Sequence, residues 1–243
     1  MKVDVMGVSF DNVTMAQAIS CAERLLSGDR AAYCVTPNAE IVWEAMRDPA
    51  FRGVLNEADL VLPDGAGVLL GAKILERPLQ EKVAGIEFGE QVARTLSERG
   101  GRLYLLGGKP GIAEAAGVRL QERYPGLVIC GTRDGYFPET APVLEAINQA
   151  APDVLFVCLG APKQERFMFE HRASLQVRLM IGLGGSLDGF AGAVKRAPRW
   201  MIRCNLEWLY RLLREPKRLG RMMRLPKFIL ACKKQRRYER KGA

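Results

Sequence analysis

The stretch ADLVLPDGAGVLLG (residues 58–71) ends a short apolar run in Pro63, then sets one carboxylate, Asp64, ahead of Gly65 and Gly67. A carboxylate at such a place can act as a general base that takes a proton from a hydroxyl nucleophile. It can equally be the N-cap of a helix starting near Gly65, a common duty of Asp at this kind of junction. Thr36 and Asn38 close another apolar run in TPN, with Pro37 stiffening the turn between them. They carry the same two readings, ligand contacts or turn and cap residues.

Elimination narrows the chemistry. The single histidine, His171, lies in the charged helical stretch RFMFEHRASL, where it reads as a solvated helix residue and gives a catalytic triad or metal site little to draw on. No Asp-x-Asp occurs, so a carboxylate pair holding a divalent metal against a diphosphate has no obvious source, and no metal is expected. Metal-free chemistry on a nucleotide substrate must then stabilise the departing diphosphate with Arg, Lys and backbone donors. The six cysteines are scattered without CxxC spacing, several inside apolar runs, which argues for a reducing cytoplasm and against a disulfide framework or zinc site.

The elements that must position these groups alternate. Apolar runs at 31–36, 58–63, 102–108, 127–132, 153–160 and 178–185 predict strands. Between them lie helical patterns such as 86–100, where Phe88, Val92 and Leu96 recur at helical spacing, and 111–126. This order predicts an α/β fold, a Rossmann-like, mostly parallel sheet flanked by helices. Ligands of such sheets bind outside the carboxyl ends of the strands. The segments there read TPN, PDGAG, GGKPG, GTRDGYF, LGAPKQE and GGSLDGFAG, five of the six with glycine, which lets backbone N–H groups approach a phosphate. Nucleotide binding is therefore expected. No Walker A loop is present and no GxGxxG follows the first strand, which disfavours a P-loop NTPase or an ordinary dinucleotide enzyme.

Charge divides the chain in two. Residues 195–243 hold 17 Lys/Arg and 3 Glu, a net of +14, whereas residues 1–194 hold 19 basic and 24 acidic groups, a net of −5. The expected organisation is a core over 1–194 and a basic, amphipathic helical appendage over 195–243. In the appendage Trp200, Trp208, Leu212, Leu225, Phe228, Ile229 and Leu230 interleave with the cations. A nucleic-acid tail would be more polar between its charges, so an anionic membrane surface is the expected partner and nucleic acid is not. The alternative is that this apolar face packs on the body or on another subunit of a homo-oligomer. The N-terminus carries acidic residues where a signal peptide needs an apolar stretch, and no run approaches the roughly 20 apolar residues of a membrane span.

The motif series TPNAE, ADLVLPDGAG, LLGGKPG, DGYF, PDVLFVCLGAPKQE, GGSLDGFAG, KRAPRW and LEWLYRLLREPKR closely resembles that of the WecG/TagA/CpsF glycosyltransferases, in order and over nearly the whole chain. The resemblance implies a cytoplasmic enzyme, peripheral on the inner face of the plasma membrane. It would move a sugar, most typically N-acetylmannosamine, from a UDP-sugar to an undecaprenyl-diphosphate-linked acceptor in teichoic acid or exopolysaccharide synthesis, inverting the anomeric centre without a metal or other cofactor. It casts Asp64 as the base and Thr36, Asn38 and Gln164 as contacts to the donor sugar. Lys82 stands in EKVAG where relatives commonly carry an Arg thought to hold the diphosphate, which keeps the charge but loses the bidentate fork. Gly107, Gly108, Tyr136 and Asp188 complete the candidate substrate-binding set. Arg211, Arg218 and Arg221 are the appendage arginines that would reach the diphosphates. Another UDP-hexose or uronic acid donor, or a non-catalytic nucleotide- or RNA-binding role, is the alternative.

Overall fold

Side chains of the central strands alternate between two apolar layers, and this explains why those strands read as unbroken hydrophobic runs rather than as polar–apolar alternations. In the computed structural model, which describes residues 1–194, 198, 201, 210 and 223–242, the chain opens with an antiparallel hairpin, β1 (Lys2–Val5) and β2 (Val8–Asp11). Its two-residue turn, Met6-Gly7, has positive φ at both positions, the geometry that matches strand twist in tight hairpins. Next come α1 (Met15–Leu26), started by a Thr14–Gln17 capping box, then β3 (Ala32–Val35), α2 (Ala39–Ala45), α3 (Pro49–Asn56), β4 (Leu60–Val61), α4 (Ala66–Ile74) and α5 (Gly85–Ser97). The second half runs β5 (Arg102–Gly107), α6 (Ile112–Arg123), β6 (Val128–Arg133), α7 (Ala141–Ala150), β7 (Val154–Cys158), α8 (Lys163–His171), β8 (Leu179–Gly182) and α9 (Ser186–Phe190). A last helix, α10, spans Arg224–Gly242.

The six predicted strands form one parallel sheet in the order β4-β3-β8-β7-β5-β6. On one face, Tyr33, Val35, Leu155, Val157, Met180, Tyr104 and Leu106 pack with the hairpin, α2, α3 and α8. On the other, Ala32, Cys34, Phe156, Leu179, Ile181, Leu103 and Leu105 pack with α1, α5 and α6. A slip of one residue in any inner strand would exchange the two sets, so register is fixed by packing on both sides. The chain leaves β3 toward one edge and β5 toward the other, and β8 and β7 fill the space between. The carboxyl ends flanking that central space are where such sheets take ligands.

Two expectations needed adjustment. The hairpin was not among the expected strands, although KVDV and VSFD alternate as strands do. The last helix does not present its whole apolar face outward: Phe228 and Cys232 are fully buried against α2 and α4, whereas Leu230 stays exposed. Arg211, Arg218, Arg221, Trp200 and Trp208 lie outside the described residues.

Candidate active site

Thr36 follows β3 and is nearly buried, and its hydroxyl donates to the carbonyl of Gly182 at the end of β8, 2.9 Å away. With its one proton committed there, Thr36 Oγ1 has only acceptor capacity left for a ligand. Asn38 is the N-cap of α2, its Oδ1 accepting from the N–H groups of Glu40 and Ile41 at 2.9 and 3.1 Å. The cap reading of Asn38 is therefore correct, and it leaves the Nδ2 donors for other partners.

Asp64 lies half-buried in the turn after β4, and its N–H meets the carbonyl of Pro37 at 3.3 Å, which ties the PDG turn to the TPN turn. The N-cap of α4 is Gly65, and no side chain makes the capping hydrogen bond. Asp64 is thus not the helix cap that its sequence position also allowed. Val83 N–H donates to Pro63 O at 2.9 Å, which sets half-buried Lys82 beside the same turn. Opposite, the first turn of α8 carries Gln164, 3% exposed, whose Oε1 accepts from Gly184 N–H at 2.9 Å.

Sheet order converts these local facts into a single row. Moving across the carboxyl edge, Asp64 and Lys82 follow β4, Thr36 and Asn38 follow β3, and Asp188 sits in α9 after β8. Gln164 follows β7, Gly107 and Gly108 end β5, and Tyr136 follows β6. Gly107 has φ +126, and a Cβ on it would lie 2.2 Å from Cys158 O, so no other residue fits where β5 and β7 run together. Tyr136 is exposed in a loop that Gly135 N–H anchors to Gly108 O at 2.9 Å. That bond, with Lys163 Nζ donating to Gly135 O at 3.3 Å, folds the loop back from β6 over the ends of β5 and β7, whereas Asp64 follows the edge strand β4. The structure brings Asp64, Lys82, Thr36, Asn38 and Gln164 together and places the Tyr136 loop beside the ends of β5 and β7.

One buried acid was passed over in the sequence. Glu165, the residue after Gln164, is 1% exposed; its Oε1 accepts from Gln164 Nε2 at 2.8 Å, and its Oε2 has no partner among the described residues. Burial pushes its carboxyl up from 4.5 to about 7, against a smaller opposing pull from the Gln164 hydrogen bond. The available signal was placement: Gln164, Glu165, Phe167 and Met168 share the buried stripe of α8, where a charged residue is rarely found without a reason. His171 is half-buried with its ring edge-on to Phe167, outside the row. Among the described residues no group of three or more His, Cys, Asp or Glu is placed to hold a metal ion.

An open parallel sheet whose candidate base, amides and glycine turns all converge on one carboxyl edge is the layout of an α/β enzyme. Residues 3–242 match the model of the glycosyl transferase WecG/TagA/CpsF family, and the chain belongs to that family; it is a glycosyltransferase. A relative from Bacillus spizizenii, named N-acetylglucosaminyldiphosphoundecaprenol N-acetyl-beta-D-mannosaminyltransferase, is 38% identical over 212 residues, covering 87% of this chain and 82% of the relative. One of the same name from Staphylococcus aureus strain MRSA252 is 35% identical over 244 residues, covering 99% and 96%.

Proposed function

We propose that this chain transfers N-acetylmannosamine from a UDP donor to N-acetylglucosamine carried on undecaprenyl diphosphate, with inversion, without a metal ion, at the inner face of the plasma membrane. The relatives' names support the sugar and the acceptor. The observation that carries the reading is Asp64, held by Pro37 in the turn beside Thr36 and Asn38 and not consumed as a helix cap. Its carboxylate takes the proton of the acceptor hydroxyl as that oxygen attacks the anomeric carbon and the bond to the UDP oxygen breaks. One displacement inverts the centre, so a single carboxylate suffices. The charge gathered on the departing diphosphate is met by Lys82, by backbone N–H groups of the glycine turns and by Arg211, Arg218 and Arg221. The amides of Asn38 and Gln164 donate to the sugar and Thr36 accepts from it.

Asp64→Asn keeps the shape and removes the base, so transfer should fall by roughly 10²- to 10⁴-fold while UDP-sugar binding by calorimetry stays near the parent value. Loss of binding together with turnover would return Asp64 to a structural role. Running the parent assay with a chelator present, over a panel of UDP-sugars, tests the donor and the metal-free reading at once.

A further inference from the structure

Gln164 is locked from both sides. Gly184 offers an N–H, which needs the amide oxygen, and Glu165 offers a carboxyl oxygen, which needs the amide nitrogen; the distances are 2.9 and 2.8 Å. The two ends of a glutamine amide are nearly identical in shape, so only its partners decide which end points where. The amide lies against Gly182, where an added Cβ would come within 3.1 Å of Gln164 Nε2, beside the carbonyl that holds Thr36. We propose that Glu165 is the positioning residue for Gln164: its Oε1 fixes the amide so that the second Nε2 proton is directed to the donor sugar. This rests on the reading of Gln164 as a donor-sugar contact.

The cost of the arrangement is visible. Among the described residues Glu165 Oε2 is buried and without a partner, and Glu44 of α2, itself paired with Arg224 at 3.1 Å, adds to the burial that disfavours ionisation of the carboxyl. A side chain kept for stability alone would be apolar here, because a buried carboxyl with an orphan oxygen is worse than a well-packed aliphatic group. A carboxyl does have one advantage as an orienting group. Its Oε1 accepts from Gln164 whether or not a proton sits on Oε2, so the lock survives titration.

The experiment uses the full chain with UDP-N-acetylmannosamine and an N-acetylglucosaminyl-diphospholipid acceptor, and activity of the parent checks the underlying reading before any variant is made. Glu165→Leu removes the acceptor oxygen. Its kcat/KM for the donor should fall roughly 10- to 100-fold, with the acceptor KM unchanged and Tm equal to the parent's or higher. Glu165→Gln retains an acceptor oxygen and should recover most of that loss; it also stands in if the leucine does not fit. Gln164→Leu should be impaired by itself, and adding Glu165→Leu to it should cost nothing more, since one residue acts through the other. A parental kcat/KM in Glu165→Leu, a loss that tracks a lowered Tm, an equal loss in Glu165→Gln, or additive losses in the double variant would each overturn the proposal. A fully active Gln164→Leu would instead remove the donor-contact assignment, and the proposal with it.

Discussion

Thr36 commits its hydroxyl proton and Asn38 its amide oxygen to structural hydrogen bonds, which leaves the Thr36 lone pairs and the Asn38 N–H groups for a ligand, whereas Gln164 is held at both amide ends and keeps one N–H. That division explains why the sequence could suggest both a cap and a contact at the same position: Asn38 is a cap by its oxygen and a candidate contact by its nitrogen. Asp64 was legible as a carboxylate at a strand end, whereas its freedom from capping duty depends on where α4 starts, which no residue type specifies. Glu165 stayed hidden because the spacing PKQE says nothing about which helical face is inside. Its titration gives a test independent of activity. In the unfolded chain a Glu releases its proton near 4.5, whereas in the fold Glu165 holds it to about 7, because burial penalises the anion. Between those values the folded state binds a proton that the unfolded state lacks, so stability falls as pH rises from 4.5 to about 7 and is level above. The Tm of Glu165→Gln minus that of the parent should therefore grow across this window and then plateau. A difference that stays constant with pH would mean that Glu165 titrates alike in both states.

Among the elements, α10 and α4 form the least expected pair. Gly67 and Gly71 interrupt α4 at a cost of roughly 1 kcal/mol each relative to alanine, and what they admit is a neighbour. A Cβ on Gly67 would lie 2.6 Å from Leu225, and one on Gly71 would lie 2.7 Å from the Phe228 ring. Burying Phe228 is worth roughly 1.5–3 kcal/mol, enough to offset the glycines in large part. Arg236 and Arg240 then close on Glu76, which they hold down to about 2, and Arg77 meets Glu239 at 3.1 Å. These contacts run in the same order along both helices, so α10 lies parallel to α4 and begins beside the turn that carries Asp64. Gly71→Val should lift α10 from its groove, an overpacking penalty of about 1–3 kcal/mol. Limited trypsinolysis should then cut within Lys233–Arg237 while the sheet core resists. Equal resistance of parent and variant would show that the helix is not seated by this glycine. Five of the six sheet strands could be read from their apolar runs because burial on both faces leaves no ambiguity there, whereas the edge strand β6 is only partly buried and was legible from the apolar start of LVICGT. The seat of α10 could not, since the signal is an absence of side chain on a distant helix. The hairpin escapes such a reading because its strands are four residues each and alternate polar with apolar, leaving no apolar run.

For the whole molecule, the issue is what the basic excess faces once α10 is docked. The helix carries eight Lys/Arg and one Glu, and its inner side is taken up by Phe228, Cys232 and the pairs with Glu76. Its outer side shows Lys227, Lys234, Arg237 and Lys241, with Leu230 and Tyr238 exposed among them at 64% and 62% and the Lys234 ammonium 5.7 Å from the centre of the Tyr238 ring. No helix among the described residues is long and apolar enough to cross a membrane. A cationic face with an aliphatic and an aromatic residue at its centre suits the headgroup region of an anionic leaflet, where each basic residue contributes about 1 kcal/mol. Because α10 starts next to the Asp64 turn, a leaflet bound by this face would present lipid-linked acceptors close to Asp64, the base proposed above. Reversing the four outer cations to glutamate touches neither Phe228 nor the Glu76 pairs, so folding should persist. It removes about 4 kcal/mol of attraction, a roughly thousandfold weaker partition, before any repulsion is counted. Flotation with phosphatidylserine vesicles at low salt should carry the parent and leave the reversed variant behind, and raising the salt should release the parent too. Unchanged flotation of the variant would move the membrane contact elsewhere on the chain, and tighter binding of the parent to random RNA than to vesicles at matched salt would favour a nucleic-acid partner for this face.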